Sequence, residues 1–274
     1  MNESIEFLGQ SRWGGTLDHK VPDFYDSLAP HYHLIFEDWD RSIDRQAKVL
    51  DHLLKAQLQD RPLKILDCAC GIGTQAIGFA LNGHQVTASD LSEAAVKRAR
   101  HEARIRGLDI SFFVSDMTSM AEIREDNFDV AAAMDNALPH LTGEQVRCAL
   151  RVAASKLAPN GLFAASIRDY DELVQQRPTS QQPAFYGDPG ERRIVHQVWD
   201  WLDAKRYAVH LYIGEESNQA WTTRHFVSEY RCILRSELSN ELESAGFKDV
   251  RWLMPGQSGY YQPIVLARLD RQAS

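Results

Sequence analysis

At 274 residues, 44% hydrophobic and 25% charged, the chain has the balance of an ordinary globular protein, with room for one α/β core and a sizeable insertion; disordered and fibrous classes are excluded. A formal charge of -8 without any concentrated Lys/Arg run argues against nucleic acid and for a small-molecule substrate. No stretch approaches the roughly 18 to 20 apolar residues of a membrane span. Residues 1–10 lack a basic segment leading into an apolar one, so a cytoplasmic protein with no membrane partner is expected. Of the four cysteines, only Cys68 and Cys70 are close. They build neither a disulfide framework nor a standard zinc set, and no metal is expected.

In chain order, Ala47, Val49, Leu50, Leu53, Leu54 and Leu58 recur at helical spacing over residues 44–58. A short apolar strand over 63–67 runs into glycines, and a helix over 74–82 stops near Gly83. Strand 85–89, helix 93–106 and strand 110–114 continue the βαβ rhythm. Strand 128–134, helix 143–156 and strand 162–167 extend it, and the helical crossovers imply parallel pairing. Residues 175–183, polar and broken by Pro178 and Pro183, read as an exposed loop. The pattern then changes to strands over 192–201, 207–213 and 221–232, expected to be antiparallel and to cap the ligand side of the sheet. A helix over 236–245 and a final strand around 262–267, placed at the sheet edge, close the chain.

Chemistry is concentrated after the first strand. Gly71 and Gly73 stand between strand and helix, where the backbone can approach a ligand and the helix start offers free N–H donors. Gly71-x-Gly73-x-x-Ala76 also satisfies the looser dinucleotide fingerprint, so the loop alone does not separate a nicotinamide enzyme from other adenosine binders. Asp90, 23 positions after Asp67, ends the second strand at the spacing of an acid that accepts from ribose hydroxyls.

The ordered set of residues 67–74, Asp90-Leu91-Ser92, Asp116-Met117, residues 136–141 and Pro159-Asn160-Gly161 resembles the motifs of class I S-adenosylmethionine (SAM)-dependent methyltransferases. The resemblance implies a Rossmann-like, mostly parallel sheet with an antiparallel β insertion after the fifth strand and an N-terminal helical lid. The expected division is a lid over 1–60, a SAM-binding core over 61–170, the insertion over 171–235 and a completing segment over 236–274. It implies SAM as cofactor and S-adenosylhomocysteine as product. The loop of Asp67, Ala69, Cys70, Gly71 and Gly73 would face the methionine part, Asp90 with Leu91 the ribose, and Asp116 with Met117 the adenine, with Met134 and Asn136 alongside.

Residues 24–36, with Tyr25 and Tyr32, are similar to the tyrosine-bearing lead-in of small-molecule methyltransferases. With Trp39 and Arg45 they resemble bacterial glycine and sarcosine N-methyltransferases, whose aromatic and Arg side chains surround the methionine end of SAM. The chain departs from that group after the fourth strand, carrying Asp135-Asn136-Ala137 where Gly-Asn-Ser is usual. Arg168, after the fifth strand, suits a carboxylate clamp, with Asn136, His140 and Tyr170 as further acceptor contacts. The expected reaction is methyl transfer to the amine of glycine, sarcosine or a related amino acid, with Tyr32 and His140 at the reaction centre. O-methylation of a hydroxylated metabolite with His140 as base, and a non-catalytic SAM-binding module, are the alternatives. Small capping or packing roles compete at Asp90, Asp116, Tyr25 and Tyr32, and Arg168 competes as a surface partner of Asp169 or Asp171. Homo-oligomerisation is left open.

Overall fold

The computed structural model describes residues 17–218 and 220–270. The chain opens with helix α1 (Leu17–Leu28), a 3-10 turn (Tyr32–Ile35) and helix α2 (Trp39–Gln57). α2 starts five residues before the first expected position because Asp38 caps it, its carboxylate accepting from the Arg41 N–H. The first sixteen residues of the expected lid lie outside the described residues.

The core then alternates as β1 (Lys64–Asp67), α3 (Thr74–Leu81), β2 (Gln85–Asp90), α4 (Glu93–Ile105), β3 (Ile110–Val114), β4 (Phe128–Ala133), α5 (Gly143–Lys156) and β5 (Leu157–Ser166). Caps set the boundaries. Ser92 accepts from Ala95 N–H at the start of α4, and Thr142 with Gln145 makes a capping box on α5. After β5 come α6 (Tyr170–Gln176), β6 (Ser180–Tyr186), β7 (Arg193–Trp201), β8 (Arg206–Ser217) and β9 (Ala220–Arg231). The chain ends with α7 (Arg235–Ser244), β10 (Phe247–Leu253), α8 (Pro255–Ser258) and β11 (Ile264–Leu269).

Seven strands form one sheet in the order β10-β11-β5-β4-β1-β2-β3, and β6 to β9 form a separate antiparallel sheet. β1 to β5 pair in parallel, whereas β11 runs antiparallel between β5 and β10. Alternation along β1 sends Leu66 to one face with α5 and α7, and Ile65 to the other with α2, α3 and α4. A third cluster joins Phe24 and Leu28 of α1 to Leu211, Ile213 and Phe226 of the insertion. The N-terminal helix is thus anchored on the inserted sheet.

Three expectations are corrected. The segment expected as a loop over 175–183 supplies the last turn of α6 and the start of β6. Polar side chains suit an exposed edge strand, and Pro183 falls in the register break between Gln181 and Ala184. The final strand is interior, and the edge belongs to β10, whose outward Lys248, Asp249 and Arg251 mask its period. β5 begins at Leu157 and takes in the expected Pro159-Asn160-Gly161 turn as an irregularity, with Asn160 left-handed at φ 61°.

Candidate active site

The sheet order reverses between β1 and β4, so their following loops diverge and open a crevice at the carboxyl edge. One cavity lies there, against Tyr25 and Tyr32 from the N-terminal segment, the loop after β1, the ends of β2 and β3, and residues 134–141. A second cavity of about 950 Å³ opens beneath the inserted sheet, lined by Arg168, Trp199, Tyr230 and Tyr261 among others. Tyr25, Tyr32 and Asp135 line both, so the cavities meet at these three side chains.

In the first cavity, Gly71 is left-handed at φ 51° and its N–H donates to Asp90 Oδ2 at 2.8 Å. A Cβ there would project to 3.5 Å from the Tyr32 ring, into the gap between loop and lid. Asp90 Oδ1 also accepts from Ser92 N–H at 2.9 Å, and burial raises its pKa. Asp116 Oδ1 accepts from Thr118 N–H at 2.7 Å. Beneath the loop, Asp67 is fully buried (0% exposed); Oδ1 accepts from Ala69 N–H while Oδ2 has no partner among the described residues. Desolvation pushes its pKa up to about 7.

The N-terminal segment is tied down over this cavity. Asp26 accepts from Ser92 Oγ–H at 2.5 Å and Ala94 N–H at 3.2 Å, at the start of α4. The Tyr25 hydroxyl meets His140 Nε2 at 2.9 Å. His140 is 7% exposed and packs on Tyr230, and burial pushes its pKa down to about 3, which keeps the ring neutral. Tyr32 stacks on Phe36, and its hydroxyl makes no hydrogen bond among the described residues.

At the second cavity, Asp135 and Asn136 are consecutive left-handed residues, at φ 55° and 68°. The surrounding bonds hold this conformation: Asp135 N–H donates to Ser166 Oγ at 2.8 Å and Asn136 N–H to the Ser166 carbonyl at 3.0 Å. Asn136 Oδ1 accepts from Arg168 N–H and the Tyr170 hydroxyl, both at 3.0 Å, while its Nδ2 has no partner. Arg168 donates to the Tyr207 hydroxyl at 2.9 Å and Gln197 Oε1 at 3.2 Å, beneath the Trp199 ring at 4.7 Å. Among the described residues it makes no ion pair. Asp169 and Asp171, its expected surface partners, both pair with Arg235 instead.

Residues 65–161 match the methyltransferase domain family. Glycine N-methyltransferase of Rattus norvegicus is 28% identical over 183 residues, 62% of this chain and 62% of that protein. A ubiquinone biosynthesis O-methyltransferase of Xanthomonas axonopodis pv. citri is 30% identical over 115 residues, 42% of this chain and 47% of that one. The solved structure of SAM-bound CalS10, an amino pentose methyltransferase of Micromonospora echinaspora, has a TM-score of 0.66 at 18% identity, covering 83% of this chain and 91% of that one. The chain carries a methyltransferase domain over residues 65–161, on the fold of SAM-dependent methyltransferases. It spans under two thirds of the glycine N-methyltransferases it matches, at 62% of their length.

Within this methyltransferase fold, Tyr25, Tyr32, Ala69, Cys70, Gly71, Asp90, Leu91, Asp116, Met117, Met134 and His140 come together around the first cavity. Several residues expected at the cofactor do not line it. Trp39 is buried, its indole N–H donating to Thr74 Oγ1 at 2.9 Å, which fastens α2 to the start of α3. Gly73, at φ 95°, lies against α4, where an added Cβ would stand 3.2 Å from the Ala99 Cβ. Asp67 lies under the loop, and Arg45 and Asn136 face the second cavity. Tyr170 is fully buried behind Asn136 and Tyr207 and lines neither cavity. Asp135, Trp199, Tyr230 and Tyr261, not singled out as site residues, do line the second cavity. Only the unusual Asp135 after β4 carried a sequence signal. Among the described residues no group of three His, Cys, Asp or Glu side chains is placed to hold a metal, and no helix is long and apolar enough to cross a membrane.

Proposed function

We propose that this chain transfers the methyl group of SAM to the amine of a small carboxylate-bearing acceptor, an amino acid or a close relative. The observation that carries the reading is Arg168: a guanidinium on the wall of the acceptor cavity, held in place by neutral partners and without an acid among the described residues. A cation so placed suits a bidentate bond to a carboxylate, and the unpartnered Asn136 Nδ2 beside it offers another donor. Glycine and sarcosine are the smallest such acceptors. A cavity of about 950 Å³ has room for larger ones.

The first cavity fits the cofactor. Gly71 leaves a cradle that a side chain would fill, and Asp90 and Asp116 present acids from successive strand ends. In this reading the loop over residues 69–71 holds the methionine end, Asp90 with Leu91 the ribose, and Asp116 with Met117 the adenine. When bound, SAM supplies a methyl carbon made electrophilic by its sulfonium. The chain's part is then positioning, by holding a deprotonated nitrogen about 3 to 3.5 Å from that carbon. Tyr25 and Tyr32 line both cavities and so stand between them.

O-methylation draws support from the ubiquinone-pathway relative, but it asks for a base at the acceptor. His140 lines only the cofactor cavity and spends Nε2 on Tyr25, which favours the amine. The test is a panel of glycine, sarcosine, dimethylglycine, alanine and phenolic acceptors, read by S-adenosylhomocysteine release. Amine turnover is expected. Turnover confined to phenols would sink the amine reading, and SAM binding without turnover of any acceptor would leave a binding module.

A further inference from the structure

We infer that the Asp135 carboxylate is the seat of the acceptor's ammonium group and makes this chain select cationic amines over neutral alcohols of the same shape. The inference rests on the amine reading above and names the residue that enforces it. Asp135 is one of three side chains that line both cavities, which puts its charge where an acceptor nitrogen must stand to face the cofactor. Every described partner of the carboxylate is neutral: Gln75 Nε2 donates to Oδ2 at 2.7 Å, and the Tyr260 and Tyr261 hydroxyls donate to Oδ1. No Lys, Arg or His among the described residues pairs with it.

A carboxylate offers about four acceptor positions, so three donors leave one for a ligand. The Tyr260 proton is also contested by Gln46 Oε1 at 2.8 Å, which frees a second for part of the time. Tyr261, 50% exposed and on the wall of the acceptor cavity, is the donor a ligand can displace. Burial raises the pKa of Asp135, as expected of an acid that lacks a cation and gains one on binding.

The surrounding backbone has the same sense. A left-handed residue after β4 is most easily a glycine, yet this chain holds an aspartate there at φ 55° and builds four bonds around it. Asp135 lines both cavities whereas Arg168 lines only the second, so the lining offers an anion where the cavities meet and a cation outside that junction. That is the complement of a zwitterion whose nitrogen points at the cofactor.

The test is calorimetric titration of the full chain, saturated with S-adenosylhomocysteine, by benzylamine at neutral pH and by benzyl alcohol. The two probes share a shape and differ in charge. The wild type should bind the ammonium ion at least tenfold more tightly. Asp135→Asn, which tolerates the left-handed backbone, and Asp135→Gly, which relaxes it, should both reduce that preference to about threefold or less. Equal binding of the two probes by the wild type overturns the inference. So does an undiminished preference in either variant, or loss of S-adenosylhomocysteine binding in both, which would assign Asp135 to the cofactor. A preserved charge preference with turnover of phenols only would instead refute the amine reading and leave the Asp135 site standing.

Discussion

Arg168 can be tested in graded steps because its surroundings separate charge from shape. The guanidinium lies against Trp199 and Tyr230, at 4.7 and 5.3 Å from the ring centroids, and donates to Tyr207 and Gln197. Lys keeps the charge and most of the stem but loses the planar fork, whereas Met keeps the stem without charge. A hydrogen bond to a charged group is worth about 1.5–3 kcal/mol, and truncating one partner of a desolvated pair costs about 2–5 kcal/mol. At about 1.4 kcal/mol per tenfold, Arg168→Lys should raise the KM for an amino-acid acceptor about tenfold, and Arg168→Met about 100- to 1,000-fold. The KM for SAM should stay within about threefold in both, because Arg168 does not line the cofactor cavity. The assay is steady-state release of S-adenosylhomocysteine, with each substrate varied at saturation of the other, and a Tm for each variant. Equal rises in both KM values, or a Met variant no worse than Lys, would refute the placement of a substrate carboxylate at Arg168.

The remaining predictions concern the supports of the site. His140 has a folded pKa of about 3 against an ordinary 6.5, so below pH 6.5 the unfolded chain binds more protons and stability falls with pH down to about 3. At pH 5 the loss is on the order of 2 kcal/mol. Asp67 acts with the opposite sign over its own window, because its raised pKa of about 7 adds stability that is lost as pH rises from about 4 to 7. His140→Gln should therefore lose less Tm than wild type between pH 7 and pH 5, and parallel losses in calorimetric scans would contradict the buried neutral ring. Tyr170→Phe removes a hydroxyl bonded to Asn136 and Tyr207 at 3.0 and 3.1 Å, and should lower stability by about 1–2 kcal/mol, roughly 3 to 6 °C in Tm; an unchanged Tm would show those bonds contribute nothing. Asp26→Ala releases α1 from α4, and should raise the Kd for SAM about 3- to 10-fold by equilibrium titration. An unaltered Kd would mean that the lid position does not depend on this tie.

The parallel core was legible from sequence because each of its signals is local. Apolar runs of four to six residues, a glycine turn and a capping serine or threonine depend only on neighbours in the chain, so β1 to β4 and α3 to α5 fall within a few residues of their expected places. The same holds for Gly71, Asp90 and Asp116, which follow three strands whose order along the sheet brings their ends to one edge. Local reading also separates poorly what a glycine or an aromatic is for. Gly73 serves helix packing against Ala99, and Trp39 serves α2, although both stand in the right stretch for a ligand.

The second cavity is a product of long-range contacts. Asp135 acquires its shell from Gln75, 60 residues earlier, and from Tyr260 and Tyr261, more than 120 residues later. Arg168 is turned from the nearby Asp169 and Asp171 by Tyr207 and Gln197 of the insertion, while Arg235 takes the acids. β10 and β6 were hidden for a related reason, since edge strands with charged or polar faces lose the alternation that marks a half-buried strand. The sequence by itself determined the cofactor fold, whose information is carried by short motifs. Only the tertiary structure decided which charges line the second cavity, because in a close-packed site a side chain's partners are set by what the rest of the chain brings beside it.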